Sequence, residues 1–186
     1  MKTSILLLTS LFILSINTSA IAGPHNTARL AADLSGGQEV RTVPMTDANG
    51  VSFDLPVGSV VTGAHGKVHF KLSHDKTMLK YHLQASGFSM DSVVSASHIH
   101  LGPEGENGPP IFFLFKAGPQ PDDGDFTGSI SGVLTEADLI PRPGLGINSF
   151  ADAMTNIING NTYVNVHTNT NPPGEIRGQV ELHPVI

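Results

Sequence analysis

Cysteine is missing from all 186 residues. That single absence excludes disulfides, thiolate metal sites and thiol nucleophiles together. A chain without cross-links must be held by its hydrophobic core, or by a core plus a bound metal. The absence also favours a bacterial or archaeal export route over an animal extracellular module. Positive charge is scarce: ten Lys and Arg stand against sixteen Asp and Glu, a formal net charge of −6. Binding to a phosphate backbone needs clustered cations, so neither nucleic acid nor an anionic membrane surface is expected as the main partner. No apolar run reaches the roughly 20 residues that span a bilayer, so no transmembrane segment is expected. Also lacking are a G-x-S-x-G elbow, H-E-x-x-H, and any Walker or dinucleotide-binding pattern. The run Asp122-Asp123-Gly124-Asp125 lacks the spaced oxygen ligands and distal Glu of an EF-hand loop, and reads as a solvated loop. Past residue 22 there is no N-x-[ST] sequon.

What is present begins with a leader. Lys2 gives a positive start, Ile5 to Ile16 is mostly apolar, and the stretch closes on Ala20-Ile21-Ala22. This is the order of a secretory signal peptide. Cleavage is expected after Ala22, because Pro24 disfavours a cut after Gly23, and the product is secreted or periplasmic. Residues 23–186 then form one domain, large enough for its own core. Without Lys2 the charge of that product is near −7.

Short alternating or apolar runs separated by glycine and proline predict an antiparallel β-sandwich. Arg29 to Leu34 is the first strand, and the Asn49-Gly50 and Pro56 to Gly63 stretches read as a long irregular loop. Val68, Phe70 and Leu72 alternate with Lys67, His69 and Lys71. After a turn at His74-Asp75-Lys76, Leu79, Tyr81 and Leu83 alternate with Lys80, His82 and Gln84. Two such segments make a hairpin with one buried and one wet face. Strands are also expected over Val93 to Leu101, Ile111 to Phe115 (buried on both faces), Phe126 to Leu134, Thr162 to Thr168 and Gly174 to Leu182. Thr135 caps a helical turn. Ser149 to Asn159 is a helix, with Ser149 and Asp152 in capping-box spacing and Gly160 after its end. Its stripe of Phe150, Ala153, Met154, Ile157 and Ile158 belongs to the core.

The chemistry lies in the histidines. In a strand, residues i and i+2 share a face with about 6.6 Å between their α-carbons. His98 and His100 can therefore aim at one ion while Ile99 points into the core. In Tyr163-Val164-Asn165-Val166-His167, Tyr163, Asn165 and His167 share one face. If that strand end lies beside His98 and His100, three neutral imidazoles converge on copper or zinc, with a fourth position for water or another ligand. The same histidines are equally compatible with a structural hydrogen-bond network through Glu104, Glu106 or Glu175. His69 and His82, with His65 joining, read as solvated surface residues more readily than as a second site. His25 fails as an amino-terminal copper motif, because Pro24 has no N–H to give up. Glu175 and Arg177 read as an ion pair or anchor of the closing strand, or Glu175 as an acceptor orienting His167.

Ala96-Ser97-His98-Ile99-His100-Leu101-Gly102-Pro103, Gly108-Pro109-Pro110, Leu134-Thr135-Glu136-Ala137-Asp138-Leu139, Tyr163-Val164-Asn165-Val166-His167-Thr168 and Pro173-Gly174-Glu175-Ile176-Arg177-Gly178-Gln179 resemble, in order, the CHRD domain. That family is named after chordin and is widespread in bacterial exported proteins. The resemblance covers roughly residues 28–183 and implies a compact β-rich domain. More loosely, H-x-H on one strand and V-x-V-H on a later one are similar to the copper ligands of Cu/Zn superoxide dismutases, which are Greek-key sandwiches. That likeness implies His98, His100 and His167 as copper ligands. The disulfide cysteines of those enzymes are absent, and residues 102–110 contain no histidine, so their bridging and zinc ligands have no counterpart.

The expectation is therefore an all-β, antiparallel Greek-key sandwich of the superoxide dismutase or immunoglobulin kind, with a short helical insertion. Its function is expected to be an exported binding module, leaning non-enzymatic, with a mononuclear copper or less readily zinc site at His98, His100 and His167. The alternatives are a metal-free interaction domain for another exported protein and, third, a dismutase-like enzyme.

Overall fold

A computed structural model of the chain describes residues 27–47, 49–118 and 126–183. The expected leader, His25 and the Asp122-Asp125 run lie outside the described residues. The described ones fold as the predicted all-β antiparallel structure. Its strands are β1 (Arg29–Ser35), β2 (Arg41–Thr46), β3 (Ser52–Gly58), β4 (His65–Leu72), β5 (Leu79–Ser86) and β6 (Val94–Leu101). They continue as β7 (Pro110–Lys116), β8 (Ser129–Leu134), β9 (Thr162–Thr168), β10 (Ile176–Gln179) and β11 (Glu181–Leu182), with one α-helix, α1 (Phe150–Ile158).

The main sheet runs β7-β6-β9-β10-β1-β4-β5-β8, with β11 also pairing β1. It curls until its ends nearly meet. The Ile140 N–H donates to the Ile111 carbonyl at 2.9 Å. Arg142 donates to the Pro110 carbonyl from Nε and Nη2 at 3.0 and 2.9 Å. The Tyr81 hydroxyl reaches from β5 to the Leu114 carbonyl of β7 at 2.6 Å. This near-closure brings β7 and β8, the two unpaired ends of the sheet, towards each other. It also encloses one core, with Val68, Leu79 and Leu83 on the hairpin side and Ile99, Val164 and Ile176 on the other.

The hairpin pattern held because one face was forced inward. Residues 68, 70 and 72 of β4 and 79 and 83 of β5 are buried, while their neighbours are exposed. α1 starts where expected: the Ser149 hydroxyl accepts from the Asp152 N–H at 3.2 Å, and the Asp152 carboxylate accepts from the Asn148 N–H at 3.0 Å. It ends at Ile158, two residues before Gly160, whose φ of 73° suits a glycine. Phe150, Ala153, Met154 and Ile157 are buried, and Phe150 meets Phe112 edge to face at 5.8 Å.

Several expectations need correcting. The stretch read as a long loop contains a hairpin, β2–β3, paired Val43 with Leu55 and standing apart from the main sheet. Its prolines, Pro44 and Pro56, and the lack of a clean inside-outside pattern hid it. The expected strand over residues 126–134 is regular only from Ser129. In β7, Phe113 is 41 % exposed between buried neighbours. The Thr135 turn is a three-residue 3-10 turn, Glu136–Asp138. The closing strand divides at Val180, which donates to the Thr162 carbonyl before β11 pairs with β1. Among the described residues, no helix is long and apolar enough to cross a membrane.

Candidate metal centre

β6 and β9 lie side by side and antiparallel, with His98 opposite Asn165 and His100 opposite Tyr163. Alternation then puts His98, His100, Tyr163, Asn165 and His167 on one face, with Ile99, Val164 and Val166 buried at 0 % exposure on the other. His167 pairs with Ala96, so it reaches His98 diagonally. Its Nε2 lies 3.0 Å from Nδ1 of His98. One ligand nitrogen from each of the three histidines lies within 4.8 Å of the others. Three atoms so placed have a common point within about 2.8 Å of each, so side-chain shifts of about 0.7 Å bring them to a metal–imidazole bond of about 2.0–2.1 Å. The group can therefore hold a metal ion.

The proton positions follow from the acceptors. His100 Nδ1 lies 2.8 Å from the Gly108 carbonyl, and His167 Nδ1 lies 2.9 Å from the Pro172 carbonyl. Carbonyls only accept, so each Nδ1 carries the hydrogen and each Nε2 keeps a lone pair. That is the orienting contact metal-bound imidazoles usually make. The Nε2 of His167 accepts from His98, but the Nε2 of His100 is buried with no hydrogen-bond partner. A buried acceptor left unmet is unusual.

All three rings are held neutral. Burial lowers His98 to about 3, with His167 and His100 beside it adding to the effect. Burial lowers His100 to about 4, against the raising effect of its bond to Gly108. Burial also lowers His167, opposed by the Pro172 carbonyl. Neutral imidazole is the form that binds metal.

Two walls fix the rings. Phe113 packs edge-on to His98 at 4.4 Å, opposite it in the β6–β7 register. Tyr163 stacks on His100 at 4.9 Å and 13°, and the Arg177 guanidinium lies 3.4 Å from the Tyr163 ring centre on its face. Arg177, only 2 % exposed, donates to the carbonyls of Pro103 and Glu106 at 3.2 and 2.8 Å and to Asn107 Oδ1 at 3.1 Å. It thereby ties down the loop that presents Gly108 to His100. Beside it, Glu39 accepts from Asn165 Nδ2 at 2.8 and 3.0 Å. Burial raises the Glu39 carboxyl to about 7 despite Arg177 and Asn165, which pull it down. A side chain at Gly174, where φ is 142°, would run into both Asn165 and Glu39.

The sequence placed all three histidines correctly on one face. It did not place their partners. No glutamate bonds the histidines: Glu175 accepts instead from Thr62 at 2.7 Å and Thr168 at 2.6 Å, and Arg177 bonds the loop rather than Glu175. The ring acceptors are main-chain carbonyls, which leave no trace in residue types. Tyr163 was discoverable, since it shares the face of His167. His69 and His82 do lie opposite each other on β4 and β5, but His82 bonds Ser131 at 2.7 Å. His65 turns to the Gly63 carbonyl at 3.1 Å and to Ser86 at 3.3 Å. Among the described residues, His98, His100 and His167 are the single group of three able to hold a metal.

Comparison with known proteins gives a match to the CHRD domain over residues 30–180. No curated protein and no solved structure matches the chain.

Proposed function

The chain belongs to the CHRD domain family, and we propose that this member is an exported, non-enzymatic module holding one copper ion through His98, His100 and His167. The observation that carries the reading is the buried, unpartnered Nε2 of His100 beside two further imidazoles within 4.8 Å. A metal ion satisfies that lone pair where no protein donor does. Three neutral nitrogen ligands favour copper over zinc by the ordinary affinity order, and leave a coordination position for water or another ligand. With Nδ1 as its donor, His98 moves its hydrogen to Nε2 on binding, while the carbonyls of Gly108 and Pro172 keep His100 and His167 aligned. The role would be metal storage, delivery or structural support. Export rests on the leader-like residues 1–22.

The test is titration of the purified protein with copper and zinc, then elemental analysis after desalting, beside a His98→Ala/His100→Ala/His167→Ala variant. One retained ion per chain, lost in the variant, is expected, with nitrogen hyperfine structure in the copper EPR spectrum. Equal retention by both proteins sinks the site.

A second reading, a docking module for another exported protein, is favoured by the β2–β3 hairpin. Val43, Met45, Leu55 and Val57 share one of its faces and are each 38–54 % exposed. A dismutase has no comparable support, since no second group of metal-competent ligands lies among the described residues.

A further inference from the structure

Positive charge is scarce in the whole chain and concentrated in one place. Arg29, Lys67, Lys71, Lys76 and Lys80 all belong to β1 and the β4–β5 hairpin. Register makes the concentration sharper. Arg29 pairs with Lys71, and Lys71 pairs with Lys80, so three cations stand in one row across three adjacent strands. His69 and His82 pair in the next row on the same outward face. Lys67 is bonded to Asp33 at 3.0 Å, but Arg29, Lys71 and Lys80 have no ion pair among the described residues. His183 follows β11 and donates its N–H to the Arg29 carbonyl at 2.8 Å. Together Arg29, His69, Lys71, Lys80, His82 and His183 line a groove of about 460 Å³, and all six are exposed.

Like charges directly opposite on neighbouring strands destabilise a sheet. Here two such contacts follow one another without an acid between them, in a protein whose net charge is negative. We propose that this groove is a binding site for a linear oligophosphate-type anion, separate from the three-histidine centre. Strands lie about 4.8 Å apart, so the row from Arg29 to Lys80 spans roughly 10 Å. That is too long for one phosphate and suits two or three in line. Arg29 offers a planar fork for one phosphate, and the lysines offer point charges for the next. The two imidazoles add donors along the second row. A divalent cation is the wrong guest here, because the three side chains flanking the histidines repel it.

Calorimetric titration with sodium tripolyphosphate, and with orthophosphate for comparison, tests the site. The protein is the His98→Ala/His100→Ala/His167→Ala variant, so that chelation at the metal centre does not contribute. Saturable binding of tripolyphosphate is expected, tighter than orthophosphate by about tenfold. It should weaken as ionic strength rises from about 0.01 M to about 0.15 M, over which the screening length shrinks from about 30 to about 8 Å. Adding Lys71→Gln and Lys80→Gln should cut affinity about tenfold or more, while Lys71→Arg and Lys80→Arg retain it. The glutamine pair should melt no lower than its parent, because it removes facing like charges, so lost binding is not lost folding. No saturable binding, or binding indifferent to the glutamine pair, overturns the proposal. Neither outcome bears on copper retention by the wild-type protein.

Discussion

Glu39 and the cluster histidines titrate in opposite directions, and the opposition is measurable. Burial raises Glu39 from 4.5 to about 7, so the folded state holds that proton more tightly than the unfolded one. Its contribution to stability is full below about pH 4.5 and is lost as pH rises through 7. His98 and His100 are lowered from 6.5 to about 3 and about 4. Their contribution is full above pH 6.5 and is lost as pH falls toward those values. Between about pH 4.5 and 7 the two slopes oppose each other, because the unfolded histidines are still losing protons around pH 6.5 while Glu39 loses its own. The difference between wild type and Glu39→Gln isolates the carboxyl. A pH series of melting temperatures on metal-free protein should therefore show the advantage of Glu39→Gln over wild type growing between about pH 4.5 and 7 and levelling above it. Parallel curves for the two proteins would show that Glu39 does not carry this titration.

The element that matters most to the centre is not a strand but the loop of residues 102–109, of which only the Gly102-Pro103 and Gly108-Pro109 motifs stood out in the sequence. The strands bearing the histidines could be read because alternation has a period of two and the core enforces it. Tyr163, Asn165 and His167 had to share a face once Val164 and Val166 pointed inward. Nothing comparable marks Gly108 or Pro172, whose carbonyls set the tautomers of His100 and His167. The β2–β3 hairpin escaped for a related reason: none of its side chains among the described residues is buried, so no alternating signal marks it. The loop's fixity depends on Arg177, which reaches it from β10 with three hydrogen bonds. Arg177→Gln cannot span that distance and removes the charged hydrogen bonds to the loop, at about 1.5–3 kcal/mol for a hydrogen bond to a charged group. The Glu106 carbonyl is left without its Arg177 donor, while the Pro103 carbonyl keeps the Glu106 N–H. Because Gly108 then orients His100 less firmly, copper affinity should also fall about 10- to 100-fold, the usual effect of losing an orienting contact. Competition titration against a chelator of known affinity measures it. If affinity is unchanged in a variant that melts lower, Arg177 stabilises the loop without positioning the ligand.

At the scale of the whole molecule, the sheet closes on one core without a single cross-link, and the histidine centre joins strands distant in sequence. β6 and β9 are separated by β7, β8 and α1 along the chain, yet supply His98, His100 and His167 side by side. An ion gripping both strands binds the folded chain and not the unfolded one, so it stabilises by mass action. At free copper 100 times the dissociation constant the gain is about 2.7 kcal/mol. For a domain of this size, where one kcal/mol moves the midpoint by about 2–4 °C, the melting temperature should rise by about 5–11 °C. The rise should continue logarithmically with copper concentration, by about 1.4 kcal/mol per decade. The triple alanine variant should show no such rise, although its own melting temperature will differ from wild type. Differential scanning calorimetry across three decades of copper reads both quantities on the same samples. A rise of the same size in the variant would place the stabilising ion elsewhere on the molecule and remove the three histidines from its account.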